Sequence, residues 1–519
     1  FGQGIVAETK RPVSMVFIDT YRGRASLRDT PDAQVRAGIE LRGSSSLGFP
    51  KNNMSFETRD ENTNDFAVPL LGLPAESDWV LYGPYTDKAL MNDYLAYELW
   101  EAMGHYSVRR KFVEVFRDTT GGRLTYGDYW GIYVLLEKIK IDNDRVDIAE
   151  LHGGDNTVPN VTGGYILKRD RFDGNEFTFA VPAGTGFGGT TLGVEDPKGA
   201  QISTAQKNYL VAWFAQVSAA LSSPGWTNPV TGYAAYIDAD SFIDHYWIVE
   251  MPKQIDGYRL SNFYHKDRNG KLKEGPIWDW NLAFGNANYL EGGLTNNYYA
   301  PAVGDADYLY YRRLFADPDF HQKHIDRWFA LRTNIFATSN LLARVNAITN
   351  LLNESQARDF VKWPRLGTYI WPNPNGSVGG WHVDFQTPTT YAGIISEMKK
   401  WLTGRLAWID AQFPAKPPVF SLPGGTVPSG TVLAITAPAG TIYYTVNGTD
   451  PRGAGGNPAP GVLTYSGAIT ITTNVGVFAR ARVGTGANSW SGPTVAPYVI
   501  ETPKLIVTEI MFHPDPPPP

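Results

Sequence analysis

The sequence contains no cysteine, so structural disulfides, zinc–thiolate sites and cysteine nucleophiles are excluded. No apolar run reaches the roughly 18 residues a spanning helix needs, so no membrane-spanning segment is expected. Basic residues are not in excess. The 46 Lys and Arg stand against 52 Asp and Glu for a net charge of −6, which removes the electrostatic case for nucleic-acid binding. Neither a Gly-x-Ser-x-Gly elbow nor a His-Glu-x-x-His pair occurs. His321 and His324 are three apart on an expected helix, but without a third ligand signature they read as a solvated face.

What is present is globular: 43% hydrophobic and 19% charged residues over 519 positions, more than one hydrophobic core usually holds. Aromatics reach 13%. They suit an extracellular or carbohydrate-facing protein, with Trp363, Trp371 and Trp381 as surface candidates, and equally a large aromatic core. The chain opens at Phe1 directly into foldable sequence, as expected of a mature secreted protein and equally of a trimmed piece.

The main boundary is the Pro-rich hinge Phe413–Pro418, after an amphipathic helix over Met398–Ile409. Before it, domain 1–413 mixes two periodicities. Strand-like runs cover Val13–Ile18, Gly38–Arg42, Met54–Thr58, Phe112–Phe116 and Tyr129–Lys138. A helix is expected after Asp87, where Leu90, Met91, Tyr94, Leu95, Leu99 and Met103 recur at three- and four-residue steps and Gly104 closes it. Further helices are expected at 204–221, 239–251 and 319–332. Strands early and helices late give an α+β fold. Residues 417–500 turn Gly/Thr/Pro-rich, with short β-branched runs such as Thr441–Val446 and Ala468–Thr473, and read as an antiparallel β-sandwich.

Three segments carry candidate chemistry. Asp256, Asn262 and Asp279 lie on two loops bracketing a short hairpin. Two carboxylates and an amide are what phosphoryl transfer needs, one to orient the attacking hydroxyl and two to hold Mg²⁺; Asp256-Gly257 is equally a turn signal. The loop Arg42-Gly-Ser-Ser-Ser-Leu-Gly-Phe-Pro-Lys51 pairs two cations with small residues able to cradle phosphates, as a solvated hairpin loop would also look. The apolar strand Tyr129–Glu137 ends in a carboxylate, as a strand between two lobes or an ordinary buried strand would. In order, they follow the parts of a protein kinase.

Arg42-Gly-x-Ser…Pro-Lys51, Trp130-Gly-Ile-Tyr…Glu137, Gly163-Gly-Tyr-Ile-Leu-Lys168 and Ile277-Trp-Asp-Trp-Asn-Leu-Ala-Phe-Gly285 resemble the spore-coat CotH kinase family. The resemblance implies a two-lobed atypical protein-kinase fold that uses ATP with Mg²⁺ or Mn²⁺ to phosphorylate protein Ser/Thr. It implies Asp256 as catalytic base, Asn262 and Asp279 as metal ligands, Arg42 and Lys51 as phosphate contacts, and Glu137 near the base of the nucleotide. Asn281 stands where many family members carry a second metal Asp; its amide can ligate but brings no charge. Met91 replaces an Arg of the family pattern, and Gln254 replaces a frequent Asn. Glu98 or Glu101 is the expected partner of Lys51. Gly440–Pro451 with Ala479-Arg-Ala481 resembles the chitobiase/β-hexosaminidase C-terminal module, usually a spacer in secreted proteins. Leu505–Pro514 looks like the first strand of a lamin-tail-type domain at 503–519. The expected function is a secreted or surface-associated kinase acting on a coat, matrix or surface protein. The alternatives are an inactive kinase-like structural or adhesive protein and a carbohydrate-binding one.

Overall fold

The structure is a computed structural model. It describes residues 4–500 except 173, 305, 375–376, 379–380 and 383–386, with backbone alone for 377, 378, 381 and 382. The lamin-tail expectation at 503–519 and the side chain of Trp381 therefore lie outside the described residues.

The chain forms two units, one comprising residues 1–316 and 330–411 and the other Asp317–Phe329 together with the chain from Gln412 onward. In the first unit, β1 (Arg11–Phe17), β2 (Ala33–Arg42), β3 (Asn53–Arg59), a small hairpin of β4 (Val68–Leu70) and β5 (Leu73–Glu76), and β6 (Asp78–Tyr82) come first. Helix α1 (Asn92–Ala102), β7 (Arg110–Phe116) and β8 (Tyr129–Glu137) follow. Six of these strands make one antiparallel sheet in the order β1-β2-β3-β6-β8-β7. Period-two alternation buries Phe17, Ile39, Phe56, Trp79, Tyr133 and Leu135 in one core.

A second antiparallel sheet is built from β9 (Tyr165–Arg169), β10 (Thr178–Val181), β11 (Thr190–Asp196), β12 (Asn262–Lys266) and β13 (Leu272–Ile277), ordered β10-β11-β9-β12-β13. Helices α2 (Thr204–Ser222) and α3 (Ala239–Glu250) precede its hairpin. After it come α4 (Tyr311–Leu314), α5 (Pro318–Thr333), α6 (Thr338–Leu351), α7 (Ser355–Lys362), the short strands β14 (Ser377–Val378) and β15 (Trp381–His382), and α8 (Tyr391–Ala411). Strands thus dominate early and helices late, the mixed α and β character expected from the sequence. Among the described residues no helix is long and apolar enough to cross a membrane.

Helix α1 starts later than its apolar periodicity suggests. The Asp87 carboxylate accepts from the backbone N–H groups of Leu90 (3.0 Å) and Asn92 (2.8 Å), and Leu90 sits at φ +64°. That left-handed residue cannot continue a right-handed helix, so the regular turns begin at Asn92.

The second unit is β-rich. Its strands are β16 (Val419–Phe420), β17 (Gly425–Thr426), β18 (Thr431–Leu433), β19 (Ile435–Thr436), β20 (Thr441–Thr445), β21 (Leu463–Thr464), β22 (Ile469–Ile471), β23 (Val475–Arg482) and β24 (Thr494–Val499). The sheet β17-β24-β23-β20-β21 and the pairs β18-β22 and β16-β19 enclose Leu433, Ile471, Val477 and Tyr498. All pairings are antiparallel except β17 with β24. Buried Arg480 on β23 pairs with Asp450 (2.6 Å) and with Asp326 in the Asp317–Phe329 segment (2.6 Å). Asp450 and Arg480 belong to the two segments that carry the chitobiase-module resemblance, so those segments meet in one ion pair.

Candidate active site

The hairpin β12–β13 sets the site. Its register puts Asn262 opposite Ile277, and β9 puts Arg169 opposite Asn262. The chain leaving β9 at Asp170, entering β12 from Asp256 and leaving β13 toward Asp279 is therefore gathered at one end of this sheet. Backbone strain gathers there too: Lys253 (φ +52°), Ser261 (+50°), Asp279 (+63°) and Phe284 (+58°) are all left-handed non-glycine residues.

Asp279 is exposed to solvent, although protein crowds round it as densely as in the interior. Both conditions fit a carboxylate at the floor of an open cleft. Its carboxyl is raised well above the usual carboxylate range, first by that crowding, then by the like charges of Asp93 and Asp256, against the opposing Arg42 guanidinium. Water reaching the cleft tempers the first cause, so the neighbouring charges matter most. Asp93 on α1 is raised in turn by burial, and Asp170 adds to the charge on Asp279. Asp256 is raised by burial against the pull of Arg259, with which it pairs at 2.6 Å.

Arg42 ends β2 with its guanidinium 5.3 Å from the ring centre of Trp278, and its Nη1 is buried without a hydrogen-bond partner. Gly43 follows at φ +117°, turning the chain at once into the small-residue loop, whose Ser44 hydroxyl accepts from Arg171. Asn262 donates from Nδ2 to Tyr264 (2.8 Å) and Glu274 (3.0 Å), leaving Oδ1 buried and unpartnered. The Asn281 carbonyl accepts from Asn92 and Asn286. Among the described residues no three Asp, Glu, His or Cys side chains close around one metal position. Asp93 Oδ2 is likewise buried without a hydrogen-bond partner, so Asn262 Oδ1 and Asp93 Oδ2 are both unpaired hard oxygens near Asp279.

Two residues assigned to the nucleotide from the sequence are held in buried ion pairs. Lys51 is fully buried, donating to Asp359 on α7 (2.7 Å) and to the Pro84 carbonyl (3.4 Å). Burial lowers its ammonium, and Asp359 opposes that shift. A carboxylate on a helix late in the chain, and not Glu98 or Glu101, is its partner; those two face Arg344 and Arg110. Glu137 is likewise enclosed, accepting from the Arg109 N–H (2.9 Å) and paired with Arg109 (3.2 Å) and Arg145 (3.3 Å). Burying a charge demands such partners, and both side chains have them.

Other neighbours escaped sequence reasoning. Asp93 looks like an ordinary acid in a helix's first turn. Asp170 and Arg171 follow the β9 motif with no spacing signal. Tyr289 is raised to about 12 by burial and then by Asp256, which marks it as facing the cleft. It stacks on Trp371 with ring centres 5.9 Å apart, and Trp371 is about half exposed. Trp363, another surface candidate, instead donates its indole N–H to the Trp130 carbonyl (2.8 Å).

The family model for CotH kinase protein matches residues 39–409, the whole span that builds this cleft. The chain belongs to that family. Within this CotH domain, the segments carrying the sequence resemblance are those that supply Arg42, Asp279 and the strand before Asp170. The chitobiase/β-hexosaminidase C-terminal domain model matches residues 422–491. No curated protein matches the chain.

Proposed function

We propose that the chain is an atypical protein kinase that transfers phosphate from ATP to serine or threonine of a coat, matrix or surface protein outside the cell. The observation that carries this reading is the cleft floor at Asp279: a water-accessible carboxylate among like charges, with a guanidinium beside it that has one unpartnered nitrogen.

The residues fit a divalent cation and a nucleotide. Asp279, Asp93, Asp170 and Asp256 concentrate negative charge that a cation would offset, and Asn262 Oδ1 is an oxygen donor with nothing to bind. Asp279 and Asn262 would hold the metal, with Asn281 as a neutral accessory. Arg42, with its free Nη1, would hold phosphate oxygens. When bound, Mg²⁺ neutralises charge on the phosphates. Asp256 is the candidate base: its raised carboxyl sits nearer the range in which a base both stays ionised and accepts a proton from a hydroxyl. Arg259 holds that carboxylate in place. Lys51 and Glu137 are held in buried ion pairs of the first unit, and its two separate sheets support reading it as two lobes.

Transfer of labelled phosphate from ATP to protein, with Mg²⁺ or Mn²⁺, tests the reading. No transfer and no thermal stabilisation by saturating metal–ATP would leave a structural surface protein.

The charge state of Asp279 gives a pH prediction. A raised carboxyl keeps its proton to higher pH than an ordinary one, and the proton competes with the metal. Mn²⁺–ATP affinity is expected to fall as pH drops into the mildly acidic range, approaching about tenfold per unit for one competing proton. Calorimetric titration between neutral and mildly acidic pH measures it. A flat profile would place the metal on groups other than Asp279.

A further inference from the structure

Asp279 is a non-glycine residue at φ +63°, a conformation that persists only where the surroundings hold it. Its N–H donates to the Tyr97 hydroxyl (3.2 Å), and its carbonyl accepts from Gln254 Nε2 (2.6 Å). The next N–H, of Trp280, donates to Asp93 Oδ1 (2.8 Å). The Tyr97 hydroxyl in turn donates to the same Asp93 oxygen (3.3 Å). Asp93 and Tyr97 are one helical turn apart and so share a face of α1. Asn92 beside them donates to the carbonyls of Asn281 (3.2 Å) and Ala283 (3.0 Å). Asp93, Tyr97 and Gln254 are all buried. Gln254 precedes Asp256 by two residues, so its hydrogen bond ties the loop of the candidate base to the loop of the candidate metal ligand.

We infer that Asp93 and Gln254 are positioning residues that clamp the Asp279 backbone from two sides and thereby fix its carboxylate relative to Asp256. An acid placed only to favour a helix N-terminus would act on α1 alone. Here the carboxylate accepts from the neighbouring loop, and a buried N–H left without its acceptor is costly enough to loosen that loop. The consequence for catalysis rests on the proposed function; the clamp itself does not.

Hydrogen exchange on the full chain tests it, comparing wild type with Asp93→Ala, Asp93→Asn and Gln254→Ala. Both alanine variants should speed exchange across residues 278–286 by roughly tenfold or more, while the six-stranded sheet and α2 keep their protection. Asp93→Asn retains an acceptor oxygen and should restore much of the protection. In parallel, Gln254→Ala should weaken Mn²⁺–ATP binding by roughly tenfold at matched folded fraction. Unchanged exchange at 278–286, or an equal rise throughout the first unit, overturns the clamp. If Asp93→Ala does not fold, Gln254→Ala decides the matter alone. A wild type that binds no Mn²⁺–ATP would overturn the proposed function, and the exchange result would still decide the clamp.

Discussion

Asp279→Ala is expected to reduce phosphate transfer from ATP to an undetectable level while leaving the fold intact. Asp279 is the exposed carboxylate of the cleft floor, and its neighbour two residues on is the neutral Asn281. Losing it removes the main anionic ligand of the metal, and with it both the positioning of the phosphates and the neutralisation of their charge. Removing one preorganised electrostatic group commonly costs about 3–4 kcal/mol, a hundredfold to a thousandfold in rate. The alanine relieves like-charge repulsion with Asp93 and Asp256, which offsets the cost of an alanine in this left-handed backbone and of the lost Arg42 attraction. Asn281→Asp should tighten metal binding by adding a charge. Labelled-phosphate transfer at matched folded fraction is the measurement, and transfer by the alanine variant at the wild-type rate would remove Asp279 from the mechanism.

Asp359→Ala is expected to be the most destabilising single substitution in the first unit. Asp359 is buried and accepts from Lys51 (2.7 Å), from Arg365 (2.6 Å) and from the Ile132 N–H of β8 (2.8 Å). Burial pushes its carboxyl up, but Lys51 and Arg365 outweigh that and hold it below the usual range. Alanine leaves two buried cations and a sheet N–H without their anion, a loss of about 3–5 kcal/mol. Denaturant unfolding followed by a probe in the first unit measures it, since the two units need not unfold together. Lys51→Met with Asp359→Leu should recover part of the loss, because it removes one of the two buried cations left without their anion, while Arg365 stays unpaired. A change below about 1 kcal/mol for Asp359→Ala would contradict the ion-pair account.

The sequence made the order Arg42, Asp256, Asn262, Asp279 legible, because these residues lie beside strands and turns whose local pattern is strong. The β12–β13 hairpin follows from its short connection, and hairpin register alone brings Asn262 near the start of the Asp279 loop. The partner of Lys51 was not legible. Asp359 lies 308 residues away on a helix with no distinguishing motif, and only tertiary packing brings the pair together. The pairing of Glu137 was not legible for a related reason: a carboxylate at a strand end looks the same whether it meets solvent or the buried Arg145. Asp93 was hidden because its function depends on the Trp280 N–H, a backbone group that no side-chain pattern announces. The start of α1 was misplaced because apolar spacing runs through Leu90, whose left-handed backbone is set by the Asp87 hydrogen bonds.

The most direct test of the account is a crystal structure of the full chain with Mn²⁺ and a non-hydrolysable ATP analogue, with the metal located by its anomalous signal. The account predicts a manganese ion within about 2.1 Å of the Asp279 carboxylate and of Asn262 Oδ1, with the phosphates facing Arg42. Nucleotide and metal seated away from Asp279, or no binding at saturating concentration, would contradict it.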